Sequence, residues 1–303
     1  MIVRVTPLEP MFFRTYGEFT SYGISGPLPR ITTFIGMVMW NLNVPITSNV
    51  DNWIEMYNYT TNEVLGIKDI KGPIIEIEEL GYRYVPFLIE RSLYLFNIKE
   101  LPDDPLKESL KIKDKLLDYI NKMIILNLEV DRRVLIEKPK NLPASDIQDK
   151  GVKEPNIYTV VMTSDNIFHK EYKEFYRIDY VFYVNSEKEE IFKKIDGKVV
   201  HFGGERRLAK ITISDEKLKN YEKLKNYDKK YAVILSPIYL LDGQNILEIY
   251  NYLITGKIVI LSAGFNLIIN RRNPIYRAVS EGSTIKRDEI EKIRKFVFNG
   301  SYL

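Results

Sequence analysis

The sequence predicts an α+β fold: two ferredoxin-like (RRM-like) βαββαβ domains, residues 1–150 and 151–303, with helical insertions and a long β-hairpin or loop insertion. Three observations predict it. Segments with strand alternation and segments with helical spacing follow one another in both halves of the chain. With 303 residues, 45% of them hydrophobic and 12% aromatic, there is enough apolar side chain for a sizeable core. The crossovers lack the glycine fingerprint of a dinucleotide-binding parallel sheet, which leaves the ferredoxin-like arrangement as the better account.

The elements follow in order. MIVRVT alternates as a strand over Ile2 to Thr6. Pro29 then precedes Ile31, Phe34, Ile35, Val38 and Met39, whose three- and four-residue spacing predicts a helix packed on a sheet. IIEIEEL and RYVPFLIERSLYLFNI alternate as strands. Asp104 and Pro105 form an N-cap and first-turn pair, and Leu106, Leu110, Leu117, Ile120 and Ile124 carry one apolar face through a long helix. The neighbouring Asp103 and Asp104 are therefore read as capping rather than metal binding. From Glu137 to Asn156 the pattern gives way to EKPKNLPASDIQDKGVKEPN, a polar stretch of a length uncommon inside a compact domain. Beyond it come the strands NIYTVVMT and FYRIDYVFYV, a short charged helix over 187–194, a strand pair flanking HFGGERR, and a polar helix from Asp215 to about Asn226. The strand YAVILSP, a further helix, two strands and a helix from Asp288 to Phe298 close the order.

Composition excludes several classes of function. The 44 basic and 41 acidic residues leave a formal charge of +3, so an anionic partner has to be met by local basic clusters. The absence of cysteine removes disulfides, thiolate metal sites and cysteine nucleophiles, and two distant histidines cannot build a histidine-rich zinc site; no metal or cofactor is expected. The amino terminus has no apolar core or cleavage site of a secretion signal, and the longest apolar stretches are interrupted by Pro, Gly, Ser and Asn. A cytoplasmic location is the expectation.

HFGGERR, residues 201–207, concentrates the candidate chemistry. Strands on both sides put Gly203 and Gly204 at a turn where backbone comes close to something or takes positive φ. A P-loop is excluded, because a strand follows and no Lys-Ser or Lys-Thr is present. Two readings stand side by side: exposed N–H groups with Arg206 and Arg207 gripping phosphate oxygens, or a hairpin turn with one buried and one solvated arginine. His201 could act as a general base on an RNA 2′-hydroxyl, but in the strand pattern VVHF a packed, hydrogen-bonded histidine is the simpler account. A second cluster, Arg271, Arg272, Arg277, Lys286 and Arg287 around Tyr276, mixes charge and stacking surface as single-stranded RNA sites do, and can equally be a solvated hairpin. Arg14 and Arg30 flank glycines and aromatics in the same way.

Taken together and in this order, these stretches resemble a known family. FFRTYGEF and GPLPRITTFIGMVMW are similar to the F-R-(acid)-x-x-P-F and P-x-P-(Ser/Thr)-x-x-G segments of the third subunit of the Cmr complex, the type III-B CRISPR effector. RRVLIEKPKNLPASDIQDKGVKEPNIYTV resembles its stretch in which an arginine and a short apolar run precede a polar loop; HFGGERRLAKI resembles its glycine-glycine-glutamate-arginine turn, and YRAVSEGSTI its R-A-V-P-A-G-S-V-Y segment. Thr15 stands where the family has an acid, Glu18 where it has proline, and Ser280 and Glu281 where it has Pro-Ala. The resemblance implies a RAMP-superfamily protein without nuclease activity that holds the 5′ tag of the crRNA and docks on the large polymerase-like subunit and the backbone RAMP subunits, in antiviral defence. It implies RNA-binding roles for Arg14, Arg30, Gly203, Gly204, Arg206, Arg207, Arg271, Arg272, Arg277 and Lys286. It also makes residues 137–156, with Lys138, Lys140, Lys150 and Lys153, a thumb-like RNA-shaping element. The alternatives are a metal-independent RAMP endoribonuclease that processes crRNA precursors with His201 as general base, and a scaffold that touches only protein.

Overall fold

The computed structural model describes residues 1–13, 22–24, 28–43, 53–89, 92–106, 159–161, 166–169, 174–204, 207–214, 229–240, 245–262, 265–266, 271–272, 274–294, 297–298 and 301–303. The first strand, β1 (Ile2–Pro7), lies inside a seven-stranded sheet. The chain then forms α1 (Ile31–Asn41), α2 (Trp53–Asn58), and the strands β2 (Ile67–Ile77), β3 (Tyr82–Ile89) and β4 (Ser92–Asn97). It returns to the same sheet with β5 (Asp179–Ser186), α3 (Glu189–Lys193), β6 (Val199–His201) and β7 (Leu208–Ser214). The strand order is β6-β7-β1-β5-β2-β3-β4, and every neighbouring pair is antiparallel. Its centre reads β7-β1-β5-β2, with α1 between β1 and β2 and α3 between β5 and β7. This sheet draws strands from both sides of residue 150, so the polar stretch 137–156 does not divide it.

The second unit repeats this order on a smaller scale. It comprises β8 (Tyr231–Ser236), β9 (Ile238–Leu240), α4 (Ile246–Tyr252), β10 (Leu253–Thr255), β11 (Ile258–Ser262), β12 (Ile275–Val279), β13 (Thr284–Lys286), α5 (Ile290–Arg294), β14 (Val297–Phe298) and β15 (Ser301–Tyr302). These form two four-stranded ladders, β10-β13-β8-β15 and β11-β12-β9-β14. Successive chain segments occupy the same rank in each, so the ladders are two halves of one interrupted sheet. The interruptions have local causes. Pro237 offers no N–H between β8 and β9. Between β10 and β11, Gly256 takes φ +145, and a Cβ there would lie 2.4 Å from Ser283 Oγ, so glycine lets this junction pass close to the segment between β12 and β13.

Strand alternation divides the core. Val3 and Val5 of β1 face α1, which buries Ile31, Phe34, Ile35, Met37, Val38 and Met39; Phe34 stacks on Phe182 of β5 at 4.2 Å. The opposite face of the sheet, with Ile2, Ile74, Phe87, Val181 and Tyr183, packs on Tyr231, Val233 and Leu235 of β8 and on Leu303. Behind β8, Ile234, Ile249, Val279, Ile285 and Ile293 fill a third cluster under α4 and α5.

Most elements lie where the periodicity places them, with two differences. The helix expected to run from Asp288 to Phe298 is a 3-10 turn over Arg287–Glu289 and α5, and Val297–Phe298 instead pairs with β9. There the backbone pairs with the β9 edge in place of continuing the helix. His201 is exposed rather than packed, because in β6 only Val200 faces inward. Asp104 accepts a hydrogen bond from the Leu106 N–H at 3.1 Å, as an N-cap does, while Asp103 pairs with Lys229. The remainder of the long helix expected after Leu106 and the polar helix of 215–226 lie outside the described residues.

Candidate functional site

The glycine turn between β6 and β7 is assembled from both ends of the first unit. Gly203 takes φ +79, where a side chain is strained, and a Cβ on it would sit 2.6 Å from the Phe12 carbonyl oxygen. The N–H of Gly204 donates to that same carbonyl at 2.7 Å. Phe202 N–H donates to the Arg207 carbonyl at 2.8 Å and closes the turn. Beneath it, Phe13 meets Phe202 and Tyr180 edge-on, with ring centres 5.5 and 5.4 Å apart. The close approach that the two glycines permit is thus to Phe12, two residues before Arg14.

Arg207 is committed within the protein. Its Nη1 donates to Glu9 Oε2 at 2.7 Å, and the other carboxylate oxygen accepts from the Leu208 N–H at 2.9 Å. The Leu8 N–H in turn donates to the Leu208 carbonyl at 3.0 Å. Nothing in the sequence around Glu9 signals a partner 198 residues away.

The amino end of α1 joins the other two stretches. Arg30 occupies the N-cap position without a capping side-chain bond, and the Ile31 N–H donates to the buried Ser236 Oγ at 3.2 Å. Tyr239 on β9 is buried, which pushes its phenol up; the charge of nearby Arg30 and the Thr32 hydroxyl pull it partway back, and Glu281 raises it again. Tyr239 meets Tyr276 of β12 edge-on at 6.1 Å. Phe13, Leu28, Ile31, Phe202, Tyr239 and Tyr276 share one apolar cluster. The amino-terminal, glycine-turn and carboxy-terminal stretches singled out in the sequence therefore meet around α1.

The other candidates are placed as follows. Arg277 is exposed on β12 opposite Ile260, and Lys286 is exposed at the end of β13. Arg271 and Arg272 form a two-residue strand paired with Phe265 and Asn266. Arg287 is turned inward, donating to the Lys229 and Tyr231 carbonyls at 2.9 and 3.3 Å. Arg14, Arg206 and the thumb lysines Lys138, Lys140, Lys150 and Lys153 lie outside the described residues. The S-E-G-S segment is a joint: Gly282 N–H donates to the Ile234 carbonyl at 2.7 Å, and its own carbonyl accepts from the Leu88 N–H of the first unit at 2.8 Å.

A polar network that sequence reasoning missed lies on the side of the large sheet away from α1. Glu76 accepts from Arg4 Nε at 2.8 Å and Arg83 Nε at 2.7 Å; burial opposes its ionisation, but these two hydrogen bonds and charges hold its carboxyl below the ordinary range. On the neighbouring strand, burial pushes the Asp179 carboxyl up, with only partial relief from the Thr6 hydroxyl at 2.5 Å. Among the described residues no group of three or more His, Asp or Glu side chains could hold a metal ion, and no helix is long and apolar enough to cross a membrane.

No family model matches the sequence. A curated relative does: the CRISPR system CMR subunit Cmr3 of Saccharolobus solfataricus is 26% identical over 318 residues, covering 98% of this chain and 89% of that protein. The chain is similar to Cmr3 along nearly its whole length. Its fold is that of chains in two solved type III-B Cmr-beta complexes, each at TM-score 0.66. One complex is bound to cognate target RNA and AMPPnP, with 23% identity over 97% of this chain and 89% of the other; the second is bound to cognate target RNA, with 24% identity over 99% and 90%. The likeness to Cmr3 spans both units, so the stretches that converge on α1 belong to one continuous match.

Proposed function

We propose that the protein is the non-catalytic, RNA-holding Cmr3-type subunit of a type III-B CRISPR-Cas effector complex. In this role it grips the 5′ tag of the crRNA and docks on the large polymerase-like subunit and the backbone RAMP subunits. The observation that carries the reading is the Cmr3 likeness along 98% of the chain. The meeting of the FFR, PLPR, GGERR and YRAV stretches around the amino end of α1 supports it from the side of geometry. Each unit follows the ferredoxin-like order, so the two domains are taken as 1–214 and 229–303.

Arg206 and the Gly203 backbone face the tag phosphates in this reading, and Arg14, Arg30, Arg271, Arg272, Arg277 and Lys286 extend the path. Residues 137–156 shape the strand as a thumb. Among the described residues, the exposed His201 on the same hairpin favours the endoribonuclease alternative. Incubation of the purified protein with labelled repeat RNA in EDTA separates the readings. Retention without cleavage is the expected result; discrete EDTA-resistant products that vanish in His201→Ala overturn the non-catalytic role, and no retention overturns RNA holding.

A further inference from the structure

The acid–base pair beneath the glycine turn has a two-sided geometry that simple charge steering does not require. Glu9 uses one carboxylate oxygen on Arg207 Nη1 at 2.7 Å and the other on the Leu208 N–H at 2.9 Å. The side chains are 18% and 34% exposed, so the pair is shielded enough for charge-assisted bonds to hold. Arg207 Nε is buried without a hydrogen-bond partner, so this arginine does not present its full fork to an incoming phosphate. Glu9 lies three residues before Phe12, whose carbonyl receives the Gly204 N–H, and one residue after Leu8, whose N–H donates to Leu208. The carboxylate therefore ties the segment after β1 to the first residue of β7 on one side of the turn, and Phe12 seats the glycines on the other.

We propose that Glu9 and Arg207 act as a clamp that holds the glycine turn in its RNA-binding shape: Glu9 is a positioning residue for RNA, and Arg207 works through it rather than as a phosphate ligand. The inference rests on the RNA-holding reading and sharpens it. It makes a counterintuitive demand, because deleting an acid next to a polyanion site ordinarily strengthens binding by removing repulsion. Here the deletion frees the turn, and the loss of order outweighs the gain in charge.

The test measures affinity for crRNA against salt in the wild type, Glu9→Ala, Glu9→Gln, Arg207→Ala and the double alanine variant. Clamping predicts that Glu9→Ala weakens RNA binding about tenfold or more, as expected for the loss of one charge-assisted contact. The salt slope stays that of the wild type in Glu9→Ala and in Arg207→Ala, since neither removes a phosphate contact. Glu9→Gln, which keeps an acceptor for Leu208, recovers part of the affinity, and the double variant is no worse than the weaker single one. Amide exchange on the free protein adds a readout independent of RNA: the Leu208 amide loses protection in Glu9→Ala and keeps it in Glu9→Gln. Tighter RNA binding by Glu9→Ala, or a shallower salt slope in Arg207→Ala, overturns the clamp and makes Arg207 a direct ligand. If the wild type does not bind RNA, the RNA-holding reading fails, and the role of the clamp in binding fails with it; a clamp failure alone leaves wild-type binding intact.

Discussion

Replacing Gly282 by alanine tests whether the S-E-G-S segment is the rigid joint between the two units. Gly282 sits between β12 and β13 at φ +77, and a Cβ on it would lie 2.5 Å from Leu93 Cδ1, 2.9 Å from Leu88 N and 3.1 Å from the Phe87 carbonyl carbon. The leucine methyl can swing away, but the two backbone atoms belong to β3, whose Leu88 N–H is itself bonded to the Gly282 carbonyl at 2.8 Å. A left-handed backbone costs an L-residue about 1–2 kcal/mol. Forcing an extra methyl into a packed site adds about 1–3 kcal/mol. Gly282→Ala is therefore expected to lose roughly 2–5 kcal/mol of unfolding free energy, a large share of the stability of an ordinary domain. Gly81→Ala is the control, because Gly81 also has positive φ, +62, but nothing within 4 Å of the added carbon. Urea unfolding followed by tyrosine and tryptophan fluorescence gives the two values side by side. Equal losses in both variants would show that the crowding at Leu88 is absent, and would refute the joint.

Two further predictions follow from the charged groups. Glu76→Gln should cost about 3–5 kcal/mol near neutral pH, because Arg4 and Arg83 lose the buried carboxylate they share. The sign of its pH dependence is set by the lowered carboxyl: the ionised Glu76 stabilises the fold above its ordinary value of 4.5, and that contribution disappears as pH falls through the lower folded value. The gap between wild type and Glu76→Gln in chemical unfolding should thus narrow below pH 4.5, and a gap constant down to acid pH would remove the proposed linkage. Arg206→Ala and Arg277→Ala should each weaken crRNA binding and make its salt dependence shallower by about one counterion; an unchanged slope in both would take these arginines off the RNA path.

Local order was legible in the residues themselves. The alternation of β1, the three- and four-residue spacing of α1, the Asp104 cap and the strand pair around the glycine turn are all set by side chains within one or two turns of each other, and they appear where that spacing puts them. The motif stretches were also legible as candidates, because paired glycines and arginines between strands carry a backbone and charge meaning of their own. Sheet partners were not. β1 pairs with strands some two hundred residues later in the chain, so a polar stretch at 137–156 looks like a boundary although the sheet continues beyond it. What a residue touches was equally hidden. HFGGERR left open whether both arginines are available or one is turned into the protein, and Arg207 is paired with Glu9; YRAVSEGST suggests an RNA segment, yet its glycine closes on Leu88. The sequence alone determined most of the strands, helices and tight turns, since those depend on neighbours along the chain, although Val297–Phe298 left the helical pattern for a strand. Only the tertiary structure decided which strands are adjacent, which charges are already neutralised and which glycines serve packing, because those follow from long-range burial that brings distant residues within hydrogen-bonding distance.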